Sequence, residues 1–133
     1  MPANTSPVFP LLPIIGFANI STAQTSRTPS NVTGCTLIGA AAGANGQRVD
    51  AISIVATGTT TAGNVRIFYY PGSGNAQLLY EIPVSAVTPS ATVLPWMYSF
   101  TIDNLVLPPT TGALYASPEK SEAFIVYKFG GDY

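Results

Sequence analysis

The chain has 133 residues, a formal net charge of −1 and only 8% charged residues. Its length matches one domain of common size, but soluble domains average about 25% charged residues. The low charge and the lack of a basic run exclude the electrostatic pattern of a nucleic-acid binder. No apolar run approaches the roughly 20 residues of a membrane-spanning helix. We therefore expect neither nucleic acid nor a membrane as partner.

The low fraction of charged residues has two interpretations. Much of the surface can meet protein rather than water, which is the interpretation we favour. The alternative is a neutral, solvated surface of the abundant Ser, Thr, Asn and Gly side chains. Cys35 is the single cysteine, so no disulfide within the chain can hold the fold, and this fits synthesis in a reducing compartment.

The first thirteen residues, "MPANTSPVFPLLP", differ in kind from the rest. Four prolines favour an extended backbone and oppose pairing in a central strand. This segment also carries large apolar side chains that an unattached tail has no reason to hold: Val8, Phe9, Leu11 and Leu12. We therefore predict an extended N-terminal arm over residues 1–13 that docks on a neighbouring molecule, followed by a single β-sandwich domain over residues 14–133.

Short β-rich runs separated by Gly and Pro predict strands and almost no helix. The predicted strands are residues 14–20, 33–40, 47–57, 63–70, 76–84, 94–102, 105–107, 112–117 and 122–129. The turn "PGSGN" predicts a hairpin because Gly adopts positive φ at low cost. The pattern is typical of an antiparallel β-sandwich of jelly-roll type, but it does not define the strand order.

The stretch "AISIVATGTTTAGNVRIFYY", residues 51–70, is predicted to be a hairpin with a Thr/Gly turn. Both of its faces are apolar, whereas a small β-protein normally exposes one face of a hairpin to water. A second layer of protein must therefore cover the other face.

Aromatic side chains supply further interface candidates. Tyr69 and Tyr70 point to opposite faces of one strand, so at least one of them must leave the core or reach a second layer. Tyr127 and Tyr133 repeat this pattern near the end of the chain, and tyrosine is enriched at protein interfaces.

A stripe of aromatic residues on one strand allows two uses. Trp96, Tyr98 and Phe100 alternate in "PWMYSF" and so share a face. Packing in the core is the commoner use of such a stripe, and stacking against sugar rings is the alternative.

Residues suited to catalysis are scarce. The chain has no His, the commonest base and metal ligand. One Cys without His cannot build a zinc site, and neither a calcium loop nor a phosphate loop is present. Glu81 in "LLYEIPV" is the one candidate for an inward-facing acid of a hydrolase, although pairing with Arg66 at the surface is the simpler interpretation. We predict no catalytic residue, no metal site and no cofactor, and hence no enzyme.

A series of motifs runs in order through residues 47–133: "VATGTTTAGNVRIFYY", "LLYEIPVSAVTPSAT", "LVLPP", "LYAS" and "EAFIVYKFGGDY". This series resembles a group of small proteins encoded by tailed bacteriophages, the head decoration or cement proteins. Residues 1–46 carry no comparable match.

The resemblance implies a β-sandwich on the outer surface of a phage head, made in the bacterial cytoplasm. Its partners would be the major capsid protein and further copies of itself, as a dimer or trimer. The second apolar face would then be covered by capsid protein or sister copies. Two alternatives stay open, a structural module of the tail or connector and a carbohydrate-binding jelly roll.

Overall fold

The computed structural model describes residues 10–133, and in this range the chain forms eight β-strands and no helix. The strands are β1 (Leu12–Ile20), β2 (Thr36–Leu37), β3 (Gln47–Ala56), β4 (Gly63–Tyr70), β5 (Gln77–Val84), β6 (Met97–Leu107), β7 (Ala113–Pro118) and β8 (Phe124–Asp132). The predicted all-β class is therefore confirmed.

The strands of residues 10–133 form two antiparallel sheets of four strands each. Sheet A has the order β1-β8-β3-β6, and sheet B has the order β2-β7-β4-β5. The first strand pairs with the last, the second with the seventh, and so on inward to the β4–β5 hairpin. This arrangement is that of an antiparallel β-sandwich, as predicted.

Alternation along the strands builds the core between the sheets. In β3, Ile52 and Ile54 are buried, while Ala51, Ser53 and Val55 beside them face outward and are only half-buried. Val65 and Ile67 do the same from β4 on the facing sheet. Since successive side chains of a strand point to opposite faces, each sheet contributes one apolar face to this core.

The predicted hairpin over residues 51–70 is wrong. β3 pairs with β6 and β8 in sheet A, whereas β4 pairs with β5 and β7 in sheet B. Residues 57–62 cross between the sheets, and buried Thr60 forms an isolated bridge with Val87 on the way. A two-residue Gly turn would join neighbouring strands, but this longer Thr-rich connection can cover the roughly 10 Å between packed sheets.

The other predicted turn is confirmed. "PGSGN" joins β4 to β5, which pair as an antiparallel hairpin. Gly72 and Gly74 both have positive φ, the conformation for which glycine is favoured.

Three of the predicted strands differ most from the structure. The strand predicted over residues 33–40 shrinks to Thr36–Leu37, and the two strands predicted between residues 94 and 107 form the single strand β6. Opposite the middle of β3, the extra residues lie in β6: Val49 pairs with Leu105 and Ala51 with Thr101, and Asn104 between them has positive φ. Opposite β8, β3 itself has a one-residue bulge at Asp50. The irregularity of β6 falls at the gap between the two predicted strands, residues 94–102 and 105–107.

The boundary of the predicted arm also changes. β1 begins at Leu12 and pairs with β8 as far as Asp132, so the last two arm residues belong to the sheet. β1 is an edge strand, where Pro13 is tolerated because one side of the strand needs no donor. The rest of the arm up to residue 9 lies outside the described residues.

The two sides of the sandwich are built differently. On the β1 and β2 side, residues 36–42 bond to both sheets: Ile38 N–H donates to Leu114 in sheet B and Gly39 N–H donates to Phe17 in sheet A. On the other side, the edge strands β5 and β6 pair with no further strand among the described residues. We call this second side the open side.

Candidate protein interface

The outer face of sheet B is covered by the chain itself. Arg66 and Phe68 of β4 point away from the core, yet both are fully buried. Residues 21–35, here called the cover loop, lie across them, because Gln24 bonds to Arg66 and Asn31 bonds to Tyr70 on either side of Phe68. The cover loop supplies the second layer that the sequence required for β4.

Ion pairs and hydrogen bonds hold the cover loop in place. Arg66 Nε donates to Glu81 Oε1 at 2.9 Å, and its Nη1 donates to the Gln24 carbonyl oxygen at 3.0 Å. Arg27 of the loop reaches the same carboxylate at 2.9 Å. The hydrogen bond from Arg27 is the main cause that lowers the pKa of Glu81 below its ordinary value, with Arg66 adding to it.

Glu81 therefore faces outward from the edge strand β5. The predicted pairing with Arg66 is confirmed, and the idea of an inward-facing acid is wrong. Two arginines hold this carboxylate ionised, which is the opposite of the raised pKa that a general acid needs.

Hydrogen bonds between uncharged groups hold the other end of the cover loop, at Asn31, in place. Tyr70 Oη donates to Asn31 Oδ1 at 2.6 Å, and the Ala76 N–H donates to the Asn31 carbonyl oxygen at 2.8 Å. Tyr70 also packs edge to face against Tyr115, with 5.6 Å between ring centroids. These contacts are internal, so the outer face of sheet B leaves little surface for a partner.

The outer face of sheet A is different, because no described residue of the chain lies across it. Register places its outward side chains in three rows across β1, β8, β3 and β6. The rows are Ile15, Phe129, Ala51, Thr101; Phe17, Tyr127, Ser53, Ser99; and Asn19, Ile125, Val55, Met97. We call these twelve residues the apolar face.

The apolar face carries no charge and exposes large side chains. Ile15 is 69% exposed, Phe17 56% and Met97 51%. Three aromatic rings form a cluster on it: Phe17 lies 6.3 Å from Tyr127, and Tyr127 stacks on Phe129 at 6.2 Å between centroids. Monomeric soluble proteins seldom leave a contiguous patch of this kind in water, so it indicates an interaction surface.

Large and small side chains are segregated on the apolar face. In its first two rows, β1 and β8 contribute Ile15, Phe17, Tyr127 and Phe129. Their neighbours on β3 and β6 are Ala51, Ser53, Ser99 and Thr101. The half of the face on β1 and β8 therefore projects further from the sheet than the half on β3 and β6. We call these the raised half and the low half.

Charged side chains border the apolar face at one end, beyond its first row. Arg48 points outward in the next row, and its Nε lies 2.7 Å from Asp50 Oδ1 in the bulge of β3. The two charges neutralise each other. An uncharged centre with a polar margin is the composition of a protein interface.

The open side of the sandwich forms a second apolar surface. A groove of about 260 Å³ lies between Tyr80 and Ile82 of β5 and Tyr98 and Phe100 of β6. A second groove of about 310 Å³ lies further along the same edges, lined by Leu78, Leu79, Leu105, Val106 and neighbouring residues.

The aromatic stripe of β6 lies along this open side. Trp96 and Phe100 pack against the core: Trp96 meets Phe124 edge to face at 5.9 Å, and Phe100 meets Tyr80 at 5.0 Å. Tyr98 between them is 49% exposed. Trp96 and Phe100, at the two ends of the stripe, thus pack against the core, whereas Tyr98 in its middle lies at the surface.

The structure scatters the predicted interface residues. Tyr127 lies at the centre of the apolar face, and Leu11 and Leu12 are exposed where β1 begins. Tyr69 packs against the core and lines the second groove. Tyr70 is bonded to the cover loop, and the Tyr133 N–H donates to the Gly46 carbonyl oxygen. Val8 and Phe9 lie outside the described residues.

Sequence reasoning missed the residues that define the apolar face on β1. In "IIGFANI", Ile15 and Phe17 alternate with the small residues Gly16 and Ala18. This alternation places Ile15 and Phe17 on one face of a strand, and that shared face is the signal in the sequence that relates them.

Groups suited to chemistry are few. Residues 10–133 contain no cluster of three or more His, Cys, Asp or Glu side chains that could hold a metal ion. In the same range no helix could span a membrane. Burial raises the pKa of the Cys35 thiol, which disfavours the reactive thiolate.

Comparison of the chain with family models, with curated proteins and with solved structures found no match.

Proposed function

We propose that this chain is a non-enzymatic structural protein of a tailed-phage virion. It decorates the outer surface of the head and stabilises the capsid by bridging neighbouring subunits of the major capsid protein. The apolar face of sheet A is the observation that carries this proposal. A domain with 8% charged residues and an uncovered aromatic face is suited to being packed among other proteins.

Bridging requires at least two contact surfaces on one small domain. The apolar face and the open side meet this requirement, because they lie on different parts of the sandwich and both expose large apolar side chains. A protein that binds only the assembled capsid stabilises that state by its binding free energy. Two contacts per copy increase the effect, since the second contact forms at a high effective concentration.

We also propose that the sandwich is a jelly roll. Pairing of the first strand with the last, the second with the seventh and the third with the sixth supports this topology, which folds one long hairpin across two sheets. Jelly rolls are common in viral capsid and lectin domains. The topology therefore agrees with a virion protein without requiring one.

The test is binding of the purified full-length protein to expanded heads of the phage that encodes it. We expect the protein to sediment with the heads and to raise the temperature at which they rupture. A protein that binds tails but leaves heads unaffected would overturn the proposal in favour of the tail or connector.

The predicted N-terminal arm is tested in the same assay. The deletion should stop at residue 9, because Leu12 already belongs to β1 and its loss would damage the edge of sheet A. We expect the shortened protein to fold and to bind heads more weakly. Undiminished binding would show that the arm contributes no contact.

A second candidate function rests on Tyr98. This half-exposed ring borders the groove formed with Tyr80 and Phe100, and aromatic rings on a jelly roll can stack on sugars. Titration with a glycan panel tests this function: binding that is lost in Tyr98→Ala, while heads go unbound, would favour it over decoration.

A further inference from the structure

We infer that the apolar face is a self-association surface on which a second copy of this chain stacks, sheet against sheet, about a twofold axis parallel to the strands. The inference goes beyond the proposed function, because it gives the apolar face to a second copy. The dimer then has two open sides, one from each copy, with which to bridge capsid subunits.

The first argument is charge. A twofold interface brings one surface patch against the same patch of the other copy, so a charged patch would meet its own charge. All twelve residues of the apolar face are uncharged. The face can therefore meet itself without repulsion.

The second argument is shape. A twofold axis parallel to the strands places β1 of one copy over β6 of the other, and β8 over β3. The raised half of each face then lies over the low half of its partner: Tyr127 faces Ser53, and Phe17 faces Ser99. The segregation of large and small side chains in the first two rows makes the surface complementary to itself in this orientation.

The same axis also accommodates the charged end of the face. Arg48 on β3 shares a row with Gly131 on β8. With β8 of one copy over β3 of the other, Arg48 lies above glycine rather than above a second arginine. Its pairing with Asp50 in its own copy can persist.

The third argument is area. Four strands about 4.8 Å apart and about nine residues long, at about 3.3 Å each, present about 570 Å² per copy. Two copies bury about 1,100 Å², which is near the lower limit for a specific interface. The stack is therefore a reversible dimer that dissociates on dilution.

The experiment is sedimentation equilibrium of the full-length protein, without heads, over a wide concentration range. We expect a mass that rises from 13.8 kDa to twice that value as the concentration increases. Tyr127→Lys and Ser53→Glu each place a charge at the centre of the face, and each should weaken association by about tenfold or more. Leu94→Lys changes an apolar side chain that is 74% exposed in the loop before β6, and it should leave association unchanged.

Mixing the two charged variants tests the orientation. In a mixed dimer, the introduced lysine of one copy faces the introduced glutamate of the other, while the second contact keeps Tyr127 over Ser53. We expect the mixture to dimerise more strongly than either variant by itself. If either variant fails to fold, Phe17→Lys and Ser99→Glu on the edge strands form the equivalent pair.

Three results would overturn the inference. The first is a wild-type protein that stays monomeric at every concentration. The second is an oligomer that the charged variants do not weaken, since association would then use another surface. The third is two dissociated variants that do not rescue each other. A monomer whose binding to heads is lost in Phe17→Lys would assign the face to the capsid and leave the proposed function intact.

Discussion

Lys128 Nζ donates a 2.7 Å hydrogen bond to the Ala40 carbonyl oxygen inside the sandwich. The side chain is fully buried and passes Gly16 and Gly39, where β1 meets the segment after β2. This lysine joins β8 of sheet A to the segment that closes the sandwich. Burial lowers its pKa from 10.5 to about 8, and nearby Asp132 opposes the shift.

The depressed pKa of Lys128 predicts a pH-dependent stability. The unfolded chain regains the ordinary pKa of 10.5, so between about pH 8 and that value it binds more protons than the folded protein. The free energy of unfolding should therefore rise with pH over this range, by up to about 3 kcal/mol. Urea denaturation of the wild type and of Lys128→Met measures the difference. Equal pH slopes in the two proteins would contradict the prediction.

The close approach of Gly39 to Gly16 predicts a specific cost for a methyl group. A Cβ on Gly39 would lie 2.7 Å from the Gly16 Cα, and the φ of Gly39 is +69°. Gly39→Ala should destabilise the protein by about 2–4 kcal/mol, from strained φ and from overpacking together. Gly74 is a matched control, because its φ is +78° and no atom of the described chain lies within 4 Å of a Cβ there.

Gly74→Ala should cost about 1–2 kcal/mol, from positive φ without a clash. Thermal or urea denaturation of both variants gives the comparison. Equal destabilisation by the two changes would show that the approach of Gly16 to Gly39 is not tight.

Glu81→Gln tests the attachment of the cover loop. The variant leaves buried Arg66 without its carboxylate partner and weakens the bond to Arg27, so we expect lower stability and faster hydrogen exchange in residues 21–35. The pKa of Glu81 is lowered by folding, so its contribution is present above the ordinary value of 4.5 and is lost as the pH falls below it.

The destabilising effect of Glu81→Gln should therefore shrink in acid. Arg48→Gln is a control that removes an exposed ion pair remote from the loop. Unchanged exchange in residues 21–35 of Glu81→Gln would contradict this account of the loop.

Trp96 and Tyr98 should respond differently to truncation. Trp96→Ala removes a ring packed on Phe124 and the core, and should destabilise the protein by about 2–3 kcal/mol. Tyr98→Ala removes a half-exposed ring of the same stripe and should cost about 1 kcal/mol or less. Thermal denaturation of the two variants checks this order. The reverse order would assign Trp96 to the surface.

Local patterns predicted most of the strands but not how they pair. The β-rich run over residues 47–57 and the Gly-rich turn after Tyr70 are local signals, and the structure confirms the strand and the turn that they predict. The crossing of residues 57–62 between sheets depends on partners more than sixty residues away, such as β8. No feature within residues 51–70 reveals those partners.

The sequence likewise did not reveal that two charged side chains, Arg66 and Lys128, are buried. Arg66 and Lys128 are buried because distant groups satisfy them, namely Glu81 and the Gln24 and Ala40 carbonyl oxygens. The need for a second layer over β4 was predicted, but its source is the polar cover loop rather than a partner protein. Sheet A also has an apolar outer face, and no described part of the chain covers it.

The measurement that tests the central claim most directly is a reconstruction of the phage particle in which this chain is located. The account predicts copies spread over the outer surface of the head, with Ile15, Phe17 and Met97 buried against protein. A chain found away from the head, or bound there with these three side chains facing solvent, would contradict it.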